Sequence, residues 1–373
     1  MPTIGYVLCS EPELNLGSTR ISATSMFPYL RDAGYNPVVI FQPVRYYDQD
    51  REANRKLEGI VQIAEREKCD VVYFQKVSGL SAIKVARALK EYGAITIFGV
   101  CDLVDNGMAD TCDATVASSD YVRRHYNPDL QAKIVVIYDG IEKPEIRKID
   151  YSTHFATKAN PIKAVLLTSL TLEQVPFLTH LPEYVKLSVI GKYDSSTYSI
   201  AKAKRGFNGI ISDPSFENVL YYLLRLSRHI SEKSKGYVNS CVGIPFERIP
   251  WNIDDAIQVL TQFDIGIIPV ELETDSGFSR KNSKSANRLT QLMSVGLPVI
   301  ASPVDSYLPV IQNGENGLIA KTMSEWTEAF EILRNPKTRV SIGKKARASI
   351  IHEFSQRQQA EKLIDLLNSL TKN

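Results

Sequence analysis

The sequence predicts an α/β protein made of two doubly wound, Rossmann-like domains in tandem. Three observations carry that expectation. The chain has 373 residues, more than one hydrophobic core usually organises. Short apolar runs rich in β-branched residues alternate with amphipathic stretches, the pattern of parallel strands covered by helices on both faces. The alternation occurs twice, on either side of a polar, unpatterned stretch at residues 151–161, which reads as a linker. The boundaries that follow are 1–160 for the first domain, 161–350 for the second and 351–373 for a terminal helix.

Bulk properties narrow the class. A hydrophobic share of 44% and a charged share of 23% are those of a globular protein. A formal net charge of +2 gives no electrostatic footprint for nucleic acid. The five cysteines, Cys9, Cys69, Cys101, Cys112 and Cys241, are far apart and form no C-x-x-C, so neither a zinc framework nor a disulfide scaffold is expected. The opening MPTIGYVLCSEPE turns polar within ten residues and does not read as a signal peptide, and no apolar run approaches 18 residues. A cytoplasmic protein is expected.

In chain order, TIGYVLCS is the first strand, and a Gly-containing loop leads to a helix over residues 20–33. NPVVIF is the second strand, residues 50–68 a charged amphipathic helix, CDVVYFQ the third strand, 81–91 a helix and AITIFGVCD the fourth strand. ATVASS, a short helix near 121–125 and KIVVIYDG complete the first series. The second begins with KAVLLTS, a helical piece and KLSVIG. Residues 192–208 read as a surface excursion and 214–235 as a strong helix, with a short one at 253–262. Helices are expected at about 324–333, 337–354 and 355–370.

Residues 263–321 organise the second half. FDIGIIPV and LPVIAS suit buried parallel strands, and between them Leu289, Leu292, Met293 and Val295 fall on one side of a helix ending at Gly296, with Pro298 beyond. Ser283 is placed to cap that helix, with Lys284 in its first turn. Arg288 and Gln291 then share a face with Lys284. Such a face is more often simply solvated. Two cations and an amide beside a helix N-terminus, at the edge where parallel strands end, also suit a nucleotide diphosphate.

The stretch resembles the donor-binding domain of GT-B glycosyltransferases, most closely the retaining group called family 4. The matching segments are residues 263–270, 293–302 (MSVGLPVIAS) and 315–319 (ENGLI). Lys284-Ser285-Ala286-Asn287-Arg288 resembles the K-x-x-N-R opening of one subgroup. KIVVIYDGIEKP resembles the strand that closes the N-terminal domain of these enzymes. The resemblance is specific over about 60 residues and colinear over nearly the whole chain. It implies a donor-holding second domain that faces an acceptor-side first domain across a cleft, and a last helix that crosses back. Family members often carry two glutamates where this chain has Ser283 and Gln291. Gln291 can still bond a ribose hydroxyl, and Glu271, Glu273 or Asp275 could supply an acid.

Two N-terminal places complete the candidate site. In Gly17-Ser18-Thr19-Arg20, Gly17 permits close backbone approach, Ser18 or Thr19 can cap a helix and Arg20 sits in its first turn. The resemblance puts this loop against donor phosphates. A plain helix cap is the alternative. Asp102 and Asp105 follow the fourth strand, where family members often have a histidine near the donor sugar. Asp102 could bond a sugar hydroxyl, act as a base or cap a helix. Asp139-Gly140 reads as a turn.

The expected function is therefore transfer of a sugar from a nucleotide-sugar donor to a glycan, lipid-linked or other acceptor, with retention and without metal or cofactor. Lys284, Arg288 and Asp102 are the catalytic candidates, and Gly17, Ser18, Arg20, Ser283, Asn287, Gln291 and Glu273 the donor-binding ones. Lys202, Lys204 and Arg205 could touch a membrane surface but are more often solvated. The replaced glutamates keep two alternatives open. One is a catalytically degenerate module that binds nucleotide sugars or scaffolds a partner, and the other is a sugar-nucleotide epimerase. The Asp48-Gln49-Asp50 triplet and the five histidines have no metal-binding context, and no P-loop, G-x-G-x-x-G or G-x-S-x-G occurs.

Overall fold

The computed structural model describes the chain except for residues 11, 13–16, 44–56, 58, 168–180, 192–245, 253, 273–276 and 372–373. The first half holds β1 (Thr3–Leu8), α1 (Gly17–Arg20), α2 (Phe27–Asp32), β2 (Asn36–Phe41), α3 (Gly59–Arg66), β3 (Cys69–Gln75), α4 (Leu80–Tyr92) and β4 (Ile95–Val100). It continues with α5 (Asn106–Thr111), β5 (Ala114–Ala117), α6 (Asp120–Arg124) and β6 (Ile134–Val136). The second half holds β7 (Ile162–Leu167), β8 (Val185–Gly191), β9 (Phe246–Pro250), α7 (Ala256–Leu260), β10 (Ile265–Ile268) and α8 (Asn287–Val295). After these come β11 (Val299–Ala301), β12 (Leu318–Ile319), α9 (Met323–Ile332), α10 (Pro336–Ile350) and α11 (Gln356–Thr371).

Two six-stranded sheets result, ordered β2-β1-β3-β4-β5-β6 and β12-β11-β10-β7-β8-β9. Every pairing is parallel, so all carboxyl ends of a sheet lie along one edge. Both faces of each sheet are buried, which is why the strands read as continuous apolar runs. In β3, Val71 and Tyr73 pack with Tyr6 and Leu30 on one face, while Val72 and Phe74 pack with Leu57, Ile60 and Leu89 on the other. In the second sheet, Ile265 and Ile267 pack with Trp326 and Phe330, while Ile268 and Val299 pack with Leu289, Leu292 and Met293. This is the expected doubly wound α/β architecture.

The halves are joined by residues 137–161 and by the last helix. Ala360, Leu363 and Leu367 of α11 belong to the core of the first sheet. The Arg347 guanidinium of α10 donates to the carbonyls of Pro144, Ile146 and Ser294, tying the connection to the end of α8. Gly296 ends α8 in the left-handed region at φ 97°, as its position predicts.

Some elements differ from expectation. The helix expected at 20–33 is broken into α1, a 3-10 turn at Thr24–Met26 and α2. Pro28 stands in the first turn of α2 and lacks the N–H that a continuous helix would need. β9 was not foreseen, because FERIP is a largely solvent-facing edge strand with no apolar alternation. The expected helices at residues 168–180 and 214–235, the excursion at 192–208 and the start of the helix at 50–68 lie outside the described residues.

Candidate active site

The carboxyl edges of the two sheets meet, and the charged side chains concentrate where they do. From the first half come the loop into α1 and the ends of β3, β4 and β6. Gln75, the last residue of β3, fixes the first of these. Its amide donates to the Ser18 carbonyl at 2.8 Å and accepts from the Cys9 N–H at 3.4 Å. Thr19 is buried and its hydroxyl contacts that of Ser10 at 2.5 Å, so it anchors the loop rather than capping the helix. Among the described residues, an added Cβ at Gly17 would meet only Ile21, at 3.8 Å.

Lys76 follows β3 directly. It has φ 57°, a region that lysine enters only when its surroundings require it. Its N–H donates to the Gly99 carbonyl, and its side chain, 8% exposed, places the ammonium 2.6 Å from Asp102. Asp102 also accepts from the Cys101 thiol at 3.6 Å. Burial alone would push the Asp102 carboxyl up, but Lys76, the Cys101 thiol and Arg280 outweigh it and hold it below the ordinary range. Asp102 is therefore a carboxylate. Capping falls instead to Asp105, which accepts from the Met108 and Gly79 N–H groups.

From the second half come the loop before α8 and the helix itself. The sequence places the helix start at Lys284; the structure starts it at Asn287, with Ala286 at the N-cap and no side-chain cap. Ser283 is the last residue of a preceding turn. It is fully buried, and its hydroxyl donates to the Arg280 carbonyl, so it caps nothing. Lys284 thus stands in the loop just before the helix, and its carbonyl accepts from the Ser306 hydroxyl. Burial and the neighbouring Arg288 push the Lys284 ammonium below its usual value, while Asp102 and Cys101 across the cleft oppose that shift. Among the described residues, its Nζ has no hydrogen bond or ion pair. The Arg288 guanidinium donates to the Leu167 carbonyl at the end of β7 (3.0 Å) and faces the buried Tyr307 hydroxyl. Among the described residues, the buried side-chain nitrogen of Asn287 has no partner.

The structure therefore brings Asp102, Lys284 and Arg288 together, and adds Lys76 and Arg280. It assigns other candidates elsewhere. Arg20 forms a two-pronged pair with Glu142, at 2.6 and 2.8 Å. Gln291 is 4% exposed and clasps the backbone of Glu142, accepting its N–H at 3.0 Å and donating to its carbonyl at 3.1 Å. Its second N–H goes to Ser294, so both donors are engaged inside the protein and no donor remains for a ribose. Arg20, Glu142 and Gln291 instead link α1, the connection and α8. Glu273 lies outside the described residues.

Asp139, read from the sequence as a turn residue, is part of the junction. It accepts from the Ser22 hydroxyl at 2.7 Å and from Ser285, joining the two halves. Burial pushes its carboxyl up, against those hydrogen bonds and the Lys76 charge. Nearby, Phe278 packs against Tyr121 and His125, the Tyr121 hydroxyl accepts from the Ser279 N–H, and Arg124 pairs with Asp305 at 2.6 Å. Sequence reasoning missed Lys76 and Asp139, although each directly follows a strand or lies just beyond one, at the edge where ligands bind.

Residues 225–365 match a family model described as glycosyl transferase-like. The fold is shared with solved glycosyltransferases. A glycosyltransferase from Rickettsia africae superposes with a TM-score of 0.64 at 15% identity, covering 100% of this chain and 99% of that one. Sucrose-phosphate synthase from Thermosynechococcus elongatus gives 0.65 at 12% identity, with both chains covered fully. The chain has the GT-B fold. HepE from Anabaena, solved in complex with UDP-glucose, gives 0.59 at 13% identity, covering 99% of this chain and 100% of that one. A comparison with curated proteins found no match. Among the described residues, no three His, Cys, Asp or Glu side chains gather as a metal site, and no helix is long and apolar enough to cross a membrane.

Proposed function

We propose that this protein transfers a sugar from a nucleotide-sugar donor to a carbohydrate or lipid-linked hydroxyl acceptor, without a metal ion. One observation carries the reading. The N-terminus of α8 has no side-chain cap and is flanked by Lys284 and Arg288, facing the Asp102 carboxylate of the other sheet. Free N–H groups and two cations form a receptor for the diphosphate. When the bond from C1 to the phosphate oxygen breaks, its electron pair goes to that oxygen, and the fixed positive charges stabilise it there. Asp102, an ionised acceptor next to those cations, is placed to bond a hydroxyl of the transferred sugar. The contacts of Asp139 with Ser22 and Ser285, of Phe278 with Tyr121, and of Arg124 with Asp305 join the two halves beside this site.

The binding of UDP-glucose by HepE makes UDP sugars the first donors to try. The test incubates sugar nucleotides with glycan and lipid-linked acceptors, with and without EDTA, and follows nucleoside diphosphate release and the anomeric configuration of the product. Acceptor-dependent release unaffected by EDTA, with the donor configuration kept, supports the reading. Epimerised donor without transfer overturns it.

A binding-only role has one specific observation in its favour. Ser283 and Gln291, which stand where family members often have glutamates, are both turned into the protein. Tight donor binding without turnover over any acceptor would favour that reading.

A further inference from the structure

Lys76 is a buried lysine in a left-handed conformation at the carboxyl end of a central strand. Such a position combines a conformational penalty with the desolvation of a charge, and both persist only where the surroundings over-determine them. Its strand neighbour Gln75 supports the loop into α1, but the Lys76 ammonium reaches sideways to the end of β4 and holds Asp102 at 2.6 Å. The Tyr73 ring lies so close to Gly99 of β4, the strand that leads to Asp102, that an added Cβ there would come within 2.3 Å of its hydroxyl.

The charges facing Asp102 come from several elements. Lys76 stands at the end of β3, Cys101 at the end of β4, Arg280 and Lys284 in the loop before α8, and Asp139 beyond β6 on the far side of Lys76. Arg288 acts on Lys284 in turn. Arg280 and Lys284 would be engaged by a diphosphate. Lys76 belongs to the first sheet and is already paired with Asp102 at 2.6 Å; of the causes acting on Lys284, its charge is the weakest.

We propose that Lys76 is a positioning residue: its ammonium fixes the orientation and the ionised state of Asp102, so that the carboxylate accepts a hydrogen bond from a hydroxyl of the donor sugar. This rests on the donor-site reading above. It goes further by assigning sugar recognition, as distinct from diphosphate recognition, to a salt bridge of the first sheet. A nucleoside diphosphate without its sugar should not sense Lys76.

The experiment measures UDP-glucose and UDP affinities by calorimetry, replaced by the GDP or ADP pair if that base binds better. The proteins are wild type, Lys76→Met, Lys76→Arg, Asp102→Asn and the double variant Lys76→Met/Asp102→Asn. In Lys76→Met the preference for the sugar nucleotide over the diphosphate should fall by ~10-fold or more, the scale of a hydrogen bond to a charged group. Diphosphate affinity should stay within about twofold. Without the ammonium the Asp102 carboxyl titrates higher, so sugar-nucleotide affinity should be lost on acidification at a higher pH than in wild type. Lys76→Arg should restore most of the preference. The double variant should be no weaker than Asp102→Asn, since a residue acting through another is non-additive with it. It also removes both charges together, which guards against misfolding from an unpaired one.

An additive double variant, or an unchanged preference and acid limb in Lys76→Met, overturns the proposal while leaving the donor site intact. Failure of wild type to bind any sugar nucleotide overturns the donor site and the proposal together.

Discussion

Lys284→Met separates a functional charge from a structural one. The side chain is half-buried, its ammonium has no hydrogen bond or ion pair among the described residues, and Arg288 lies beside it. Without ligand, then, the charge opposes folding. Methionine keeps the stem and removes the repulsion, a like-charge effect of about 0.2–0.5 kcal/mol. The unliganded variant should be as stable as wild type or slightly more so. Binding should respond in the opposite direction. A charge-assisted bond to phosphate is worth ~1.5–3 kcal/mol, so losing it weakens the donor ~10–150-fold. A donor at about 100 times its wild-type dissociation constant stabilises the protein by ~2.7 kcal/mol. With a thirtyfold loss, the same concentration is about three dissociation constants and contributes ~0.9 kcal/mol. Thermal or urea unfolding with and without donor reads both effects from one sample. A variant destabilised without ligand that keeps the full donor shift would refute the reasoning and return Lys284 to a structural role.

The same lysine gives a pH dependence. Its ammonium in the free protein titrates below the ordinary 10.5, and a bound diphosphate favours the charged form. Binding should take up protons, and affinity should fall as pH rises through that lowered value, a linkage that calorimetry in buffers of different ionisation enthalpy detects. Asp139 works on the fold. Its carboxyl is raised, so its contribution is fully present below the ordinary carboxylate range and is lost as pH rises through the raised value. Asp139→Asn should equal or exceed wild type in stability at pH 7 and should flatten that part of the stability profile. Glu142→Gln breaks the pair with Arg20, whose partners are 15% and 21% exposed; loss of a charged hydrogen-bonded partner should cost ~1.5–3 kcal/mol in urea unfolding. Gly343→Ala brings a Cβ within 2.3 Å of the Gly296 carbonyl where α10 crosses the end of α8. Overpacking of this kind should cost ~1–3 kcal/mol.

The sheets were legible because strands buried on both faces must be apolar throughout, and DIGII, VVYF and AVLL have few other solutions. Gly296 was legible because a left-handed helix end followed by Pro298 leaves little choice. The break in the helix at 20–33 was available in Pro28, but the apolar spacing of Ile21, Met26 and Leu30 outweighed it in the reading. Met26 and Leu30 do face one core, and Ile21 is buried on the turn before them. β9 carries no apolar pattern because its side chains are largely exposed. The site was legible in part. Arg288 and Asp102 lie near the helix start and strand end expected for them, while Lys284 stands in the loop before its helix rather than in the first turn. Gln291 was not legible, because its partner Glu142 lies 149 positions away and only the folded chain brings the two together. Lys76 and Asp139 were invisible for a similar reason: their meaning comes from Asp102, Ser22 and Ser285, which the topology delivers from other strands and loops.

The most direct test of the account is donor binding. Wild type and Lys284→Met would be screened by thermal shift against UDP-, GDP-, ADP- and CMP-sugars, with and without EDTA. The account predicts that one class of sugar nucleotide stabilises wild type by ~2–3 kcal/mol near saturation, that EDTA leaves the shift unchanged, and that most of it is lost in the variant. No shift with any sugar nucleotide, under conditions where a control transferase responds, would contradict it.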